Sequence, residues 1–194
     1  MAISQGKAGI GTILSVADLF FCGTATNSCD EGWQPGQALA RCREHGVGCE
    51  SDFRYRDKQM PCKGITPIVK VPRWAKATDS EARKEALCDR GPVIACMAIY
   101  SDFLYYRAGV YRPTTSETVG LHAVAVVGYD DKAGCWIVKN SWSQEWGEEG
   151  FGRIGYGCCG IDAQYPFYDP EVEPVVAPRP RTVPAGGKKQ RHSA

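Results

Sequence analysis

The sequence predicts an α+β protein of two lobes, and three observations carry that expectation. Helical patterns fall in the first half of the chain and strand patterns in the second. The 194 residues, 43% hydrophobic and 23% charged, are enough for one sizeable domain or for two small lobes sharing a cleft. A net charge of +1 supplies no global field for nucleic acid or an anionic membrane, so neither is expected as a partner. No apolar run approaches the ~20 residues needed to span a bilayer. The opening MAISQGKAGIG also lacks the apolar core of a secretory signal.

Taken in order, TILSVADLFFC (12–22) reads as an extended entry and a short helix, with Ser15 as N-cap and Asp18 in the first turn, where a carboxylate favours the helix dipole. Residues 23–32 form a polar, turn-rich loop. A second helix runs from Pro35 to about His45, with Gly46 placed to end it and Arg41, Arg43 and His45 suited to its C-terminal end. Residues 47–74 hold three prolines and no long periodic segment, which predicts loop with short strands. SEARKEALCD (80–89) is an amphipathic helix opened by Ser80, without a full capping box. GPVIACMAI (91–99), LHAVAVVGY (121–129), CWIVKN (135–140) and FGRIGYG (151–157) are strands. From Asp169 the chain is rich in Pro, Gly and basic residues. The expected domains are therefore 1–74, a partial helical lobe, 75–168, a β-rich lobe, and 169–194, a disordered tail.

The chemistry concentrates in LHAVAVVGYDDKAGCWIVKNSW. DDKAG is a hairpin signal, and His122 and Asn140 each stand nine residues from Asp131, so an antiparallel hairpin sets them opposite each other at its open end. A carboxamide oxygen beside an imidazole accepts the ring N–H, fixes the tautomer and leaves the other nitrogen free to take a proton from a nucleophile. Trp142, two residues on, covers that bond from water. Ten cysteines, at 22, 29, 42, 49, 62, 88, 96, 135, 158 and 159, permit several bridges in an oxidising compartment, with a connectivity that spacing alone leaves open. Cys42, His45 and Cys49 have the spacing of part of a zinc site, but a helix-end histidine beside two buried or bridged cysteines is the preferred reading, and no metal or other cofactor is expected.

The stretch LHAVAVVGY…WIVKNSWSQEWGEEGFGRI closely resembles the papain and cathepsin family of cysteine peptidases, in which a His opens one strand and Asn-Ser-Trp closes the next. GPVIACMAIYSDFLYYRAGVY and LSVADLFFC…CDEGWQPGQAL extend the likeness over residues ~12–168. The resemblance implies a papain-like two-lobe fold and peptide-bond hydrolysis through an acyl-thioester, with a peptide or protein as substrate. In that reading His122 is general base and acid, Asn140 orients it, Trp142 shields the pair and Trp146 lines the leaving-group side. Gly32 offers its backbone to the substrate. Trp33, Ala123 and Gln164 border the pocket for the second residue before the scissile bond. The resemblance also implies a Cys22–Cys62 bridge and a secreted or lysosome-like compartment. Three positions depart from the pattern: Glu31 replaces a glycine, Leu121 stands where several members have Asp or Asn, and Gln164 is neutral.

The nucleophile is the largest departure. The family places Cys-Gly-Ser/Ala-Cys-Trp/Tyr roughly 130–150 residues before its histidine, and His122 has 121 residues ahead of it with no such motif among them. Gln5–Gly11 mimics the spacing but is not followed by the required long helix. The expectation is a chain truncated before residue 1, lacking the central helix that carries the thiol and inactive alone. Two other readings are a pseudoprotease that binds peptides or a partner through its cleft, and a separate chain that supplies the cysteine.

Overall fold

The computed structural model describes residues 12–23 and 32–175. Ser15 caps α1 (Val16–Phe21), its Oγ accepting the Asp18 N–H at 2.9 Å and donating to the Phe53 carbonyl at 2.5 Å. Asp18 does more than face the helix dipole. Its carboxylate is buried, accepts the Gly48 N–H at 2.9 Å and lies 3.6 Å from the Arg41 guanidinium, which in turn donates to Gly46 O at 2.9 Å. One buried charge, matched by donors as burial demands, thus ties α1 to α2 (Pro35–His45) and to the turn that follows. That turn requires glycine: Gly46 has φ +76°, and a Cβ there would lie 2.6 Å from Val69 O. The Cys22–Cys62 disulfide, with Cα atoms 4.8 Å apart, fastens the end of α1 to the loop before the first strand.

The strands are β1 (Val69–Ala77), β2 (Val93–Tyr100), β3 (Val110–Tyr111), β4 (Thr118–Asp130), β5 (Cys135–Lys139), β6 (Phe151–Gly155) and β7 (Phe167–Pro174). Together they form one seven-stranded sheet in the order β1-β7-β2-β4-β5-β6-β3, antiparallel except for β3 and β6. Helix α3 (Ser80–Arg90) begins one residue earlier than Ser80 alone suggests, because the cap is Asp79, whose carboxylate accepts the Ala82 N–H at 2.9 Å. Along β2 alternate residues are buried, and Val93, Ala95, Met97 and Ile99 meet Phe103, Val126, Trp136, Val138, Ile154 and Phe167 in the main core. Burying each large apolar side chain is worth ~1.5–3 kcal/mol, so this cluster is the rigid base on which the β4–β5 hairpin stands. A smaller cluster of Leu39, Cys42, Val47, Val69 and Val71 joins α2 to β1.

Two expectations are corrected. Residues 69–74, expected within a stretch of loop and short strands, form the first part of a nine-residue strand, β1, which crosses the expected boundary at 74/75. Its Pro72 falls where the register shifts between Lys70 and Arg73, on an edge strand, and there a missing N–H costs least. The tail does not start at Asp169 either, since β7 reaches Pro174 and pairs with β1 from Ala77↔Phe167 to Val69↔Pro174. Pro170 and Pro174 are tolerated because β7 meets β2 only at Ile94↔Tyr168, so most of its other edge needs no donors. Asp169 is buried in an ion pair with Arg90. Residues 176–194 lie outside the described residues, as do Cys29 and Glu31.

Candidate active site

The β4–β5 hairpin turns through residues 131–134, with Gly134 at φ +67° and the Asp130 carboxylate accepting the Ala133 N–H at 3.0 Å. Its register differs from equal counting about Asp131. Asp130 pairs with Cys135, the register shifts between Val126 and Gly128, and the ladder ends at Ala125↔Lys139. The turn is therefore centred between residues 132 and 133 and not at Asp131, and although the bulge takes back one residue of that offset, Asn140, just past the ladder, does not stand directly across from His122. The two side chains meet diagonally instead, within the reach of long side chains on neighbouring strands. His122 Nε2 lies 2.8 Å from Asn140 Oδ1.

The tautomer follows from a neighbouring donor. The Ser141 main-chain N–H also donates to that Asn140 atom, at 2.8 Å. A backbone N–H can only donate, so the shared atom is the carboxamide oxygen and His122 Nε2 must carry its proton. Nδ1 is thereby left with a lone pair, in position to act as a base. Asn140 is 7% exposed, and its own N–H donates to Gly150 O at 2.9 Å. Its Nδ2 is buried with no hydrogen-bond partner among the described residues.

Indole rings back the pair. Trp142 tilts over the imidazole at 5.0 Å between ring centroids, Trp146 meets Trp142 edge-on at 5.4 Å, and Phe103 meets both. Trp146 is buried, its Nε1–H donating to Phe103 O at 3.3 Å, so it supports Trp142 from behind. Gly147 (φ +62°) and Gly150 (φ +87°) let this turn double back, and a Cβ at Gly147 would lie 2.4 Å from Phe151 O. Glu148 locks the turn: its Oε1 accepts Tyr106 O–H and Gly109 N–H, each at 2.9 Å, and Arg153 lies 3.0 Å from Oε2.

Beside the pair runs an open apolar groove of about 400 Å³, whose lining includes Trp33, Leu39, Val71, Ile94, Ala123 and Val172. It therefore brings Trp33 and Ala123 together. Gln164 is exposed and outside this lining, on the turn after Cys159, its backbone N–H donating to Gly160 O at 3.0 Å. Gly32 is exposed ahead of α2. A second hollow, lined by Val16, Phe20, Phe21, Tyr55 and Ser141 among others, reaches the residue next to Asn140. Burial raises four thiols, Cys42 to about 11, Cys159 to about 12, and Cys96 and Cys135 to a lesser degree, so these stay protonated at neutral pH. Hydrogen bonds from Ser51 and Thr12 lower the Cys49 thiol, but that residue is bridged to Leu14 ahead of α1. Among the described residues no group of three or more His, Cys, Asp and Glu side chains is placed to hold a metal ion.

The signature of the family described as papain family cysteine protease matches residues 2–168. The chain belongs to the papain family. It is 34% identical over 160 residues to the cathepsin B-like CP3 of Giardia intestinalis, covering 74% of this chain and 53% of that protein. It is 41% identical over 197 residues to the cathepsin B-like cysteine proteinase 1 of Ostertagia ostertagi, covering 80% and 58%. Among solved structures, the procathepsin B S9 of Trypanosoma congolense superposes with a TM-score of 0.72 at 26% identity, over 82% of this chain and 61% of that one. The bromelain protease of Ananas comosus, solved with the E64 inhibitor, superposes at 0.71 and 26% identity over 87% and 82%. The chain spans little more than half the length of the curated relatives it matches. The α+β papain-like fold and the Cys22–Cys62 bridge are thereby established for this papain-family chain.

Two contributors escaped the sequence reading. The Ser141 N–H is main chain and leaves no trace in residue type. Phe103 lies in a short 3-10 turn (Ser101–Tyr105) far from the hairpin in sequence, and its place in the SDFLYY part of the family-like segment was its only signal there.

Proposed function

We propose that the chain carries the proton-transfer half of a thiol peptidase, and that the nucleophile comes from a segment outside these 194 residues, seated in the apolar groove beside Ala123. The observation that carries the reading is the pair of donors converging on Asn140 Oδ1, which presets His122 as an Nε2–H tautomer with a basic Nδ1. In the reaction, Nδ1 takes the proton of the incoming thiol and the thiolate attacks the substrate carbonyl carbon. As the C–N bond breaks, Nδ1–H returns that proton to the leaving amine. A water, deprotonated by the same nitrogen, then cleaves the thioester. Throughout, Asn140 holds the ring in place, and Trp142 keeps water from the orienting bond. Support for a seated segment comes from the open apolar groove itself, lined by Leu39, Val71, Ile94 and Ala123 among others.

The test compares two polypeptides. The 194-residue chain, incubated with a fluorogenic peptide and a peptidyl epoxide, is expected to give neither turnover nor a labelled cysteine. A version extended upstream by a Gln…Cys-Gly-x-Cys-Trp segment and its helix is expected to gain both, and to lose turnover on His122→Ala. Clear labelling and turnover of the unextended chain would overturn the proposal. Saturable peptide binding without turnover in either version favours the pseudoprotease reading.

A further inference from the structure

Cys158 and Cys159 stand side by side in the turn that follows β6, outside the site described above. The turn is tightly held. Cys158 N–H donates to Gly155 O at 3.0 Å, Ile161 N–H to Cys158 O at 3.2 Å and Ala98 N–H to Cys159 O at 2.8 Å. Cys159 has φ +58°, a left-handed conformation unfavourable for a residue with a side chain. The two thiols lie in different surroundings. Cys159 is 5% exposed and packs in the main core, whereas Cys158 is half-buried at its rim. Arg112 Nη1 donates to Cys158 Sγ at 3.5 Å. Gly155 makes room for that arginine, since a Cβ there would lie 2.9 Å from the guanidinium carbon. A sulfur open to solvent, with a cationic donor beside it, thus adjoins a second sulfur that solvent does not reach.

We propose that Cys158 and Cys159 form a redox-active dithiol, which a low-molecular-weight disulfide converts into a vicinal disulfide that draws the Cys159 side chain out of the core. Cys158, as thiolate, attacks one sulfur of the small disulfide; a mixed disulfide forms and one thiolate leaves. The Cys159 thiol then gives its proton to solvent, and its sulfur attacks that of Cys158 and releases the second thiolate. Two protein thiols are oxidised to one disulfide, and one external disulfide is reduced to two thiols. Arg112 balances the charge on the Cys158 sulfur during the first attack. The peptide bond between the two residues is trans, which sets their Cα atoms about 3.8 Å apart, below the roughly 4.4–6.8 Å usual for a disulfide. Such a bridge is strained and returns readily to the dithiol where thiols are plentiful. Closure is therefore a reversible signal, unlike the Cys22–Cys62 bridge, and it acts on the fold independently of the peptidase reading.

The experiment treats the full chain with oxidised glutathione at a concentration that converts the exposed Cys88, then alkylates it, digests it with trypsin and weighs the peptides. Cleavage after Arg153 gives a peptide that holds Cys158 and Cys159 and no other cysteine. That peptide should be about 2 Da lighter than its dithiol form and resist alkylation until reduced. Cys159→Ser should instead retain one glutathione on Cys158, and Cys158→Ser should leave Cys159 unmodified. Arg112→Met should slow closure about tenfold, and Arg112→Lys should restore part of the rate. The oxidised wild type should melt at least about 4 °C below the reduced form and recover on reduction, a fall absent from Cys158→Ser. A peptide that stays a free dithiol, keeps one glutathione or is joined to another cysteine overturns the inference. Closure with an unchanged melting temperature overturns the withdrawal from the core, and closure at an undiminished rate in Arg112→Met overturns the role of that arginine.

Discussion

Replacing Glu148 tests whether the turn behind the site is held electrostatically. Its carboxylate gathers Tyr106 O–H and Gly109 N–H at 2.9 Å each and Arg153 at 3.0 Å, with the Glu148 side chain 27% exposed. Hydrogen bonds to a charged group contribute ~1.5–3 kcal/mol, and partial exposure discounts the ion pair, so Glu148→Ala should cost about 3 kcal/mol. For a chain of this size that corresponds to a fall in melting temperature of roughly 6–12 °C. Glu148→Gln keeps an acceptor but loses the charge, and should cost about 1 kcal/mol. The pH dependence carries the sharper signature. Burial alone would raise this carboxyl, but the hydrogen bonds and Arg153 outweigh it and hold it below the usual glutamate range. A depressed folded-state value means the contribution is complete above the unfolded value of about 4.3 and is lost as pH falls through the folded one. Circular-dichroism melts of wild type, Glu148→Gln and Glu148→Ala from pH 7 to pH 3 should show a gap that closes on acidification. Equal melting temperatures at pH 7, or a gap undiminished at pH 3, would refute the reasoning.

Asn140→Ala removes the acceptor shared by His122 and Ser141, and long-range 15N–1H spectra should show the single Nε2–H tautomer of wild type replaced by a mixture; an unchanged tautomer would remove Asn140 from its orienting role. Cys22→Ser opens a 40-residue loop and should cost about 4 kcal/mol by chain entropy, read from urea melts under oxidising conditions. Gly46→Ala forces a Cβ to within 2.6 Å of Val69 O at a positive φ and should lower stability by at least about 1–2 kcal/mol, whereas Gly109→Ala, with an open surround, should cost less. Arg90→Ala leaves the Asp169 carboxylate, 5% exposed, without its partner; the expected loss is about 1–3 kcal/mol, read from urea melts at pH 7.

Local rules read the helices well. Ser15 and Gly46 announce their caps through chemistry confined to neighbouring residues, and β2 declares itself by an unbroken run of apolar and β-branched residues. Beyond that range the sequence was less informative. The strand character of 169–174 depends on pairing with β1, nearly a hundred residues earlier, and its prolines argue against a strand unless one edge is known to be free. Equal counting about Asp131 brought His122 and Asn140 to the same end of the hairpin but set the turn too early, since Asp130 pairs with Cys135, and it also missed the bulge near Val127, because a one-residue slip leaves no mark in a run as uniformly apolar as AVAVV. Gln164 and Trp33 sit on separate segments, and no pattern in either reveals that only Trp33 reaches the groove.

The oxygen shared by Ser141 and His122 has a consequence for how such a site can change over time. Rotating the carboxamide by half a turn would place an amino group against two donors at once, so the amide is pinned by the chain's own backbone and not by anything that binds later. The histidine is accordingly polarised before a thiol or a peptide arrives. On the proposed reading, the segment that brings the thiol can be altered without the base having to be rebuilt.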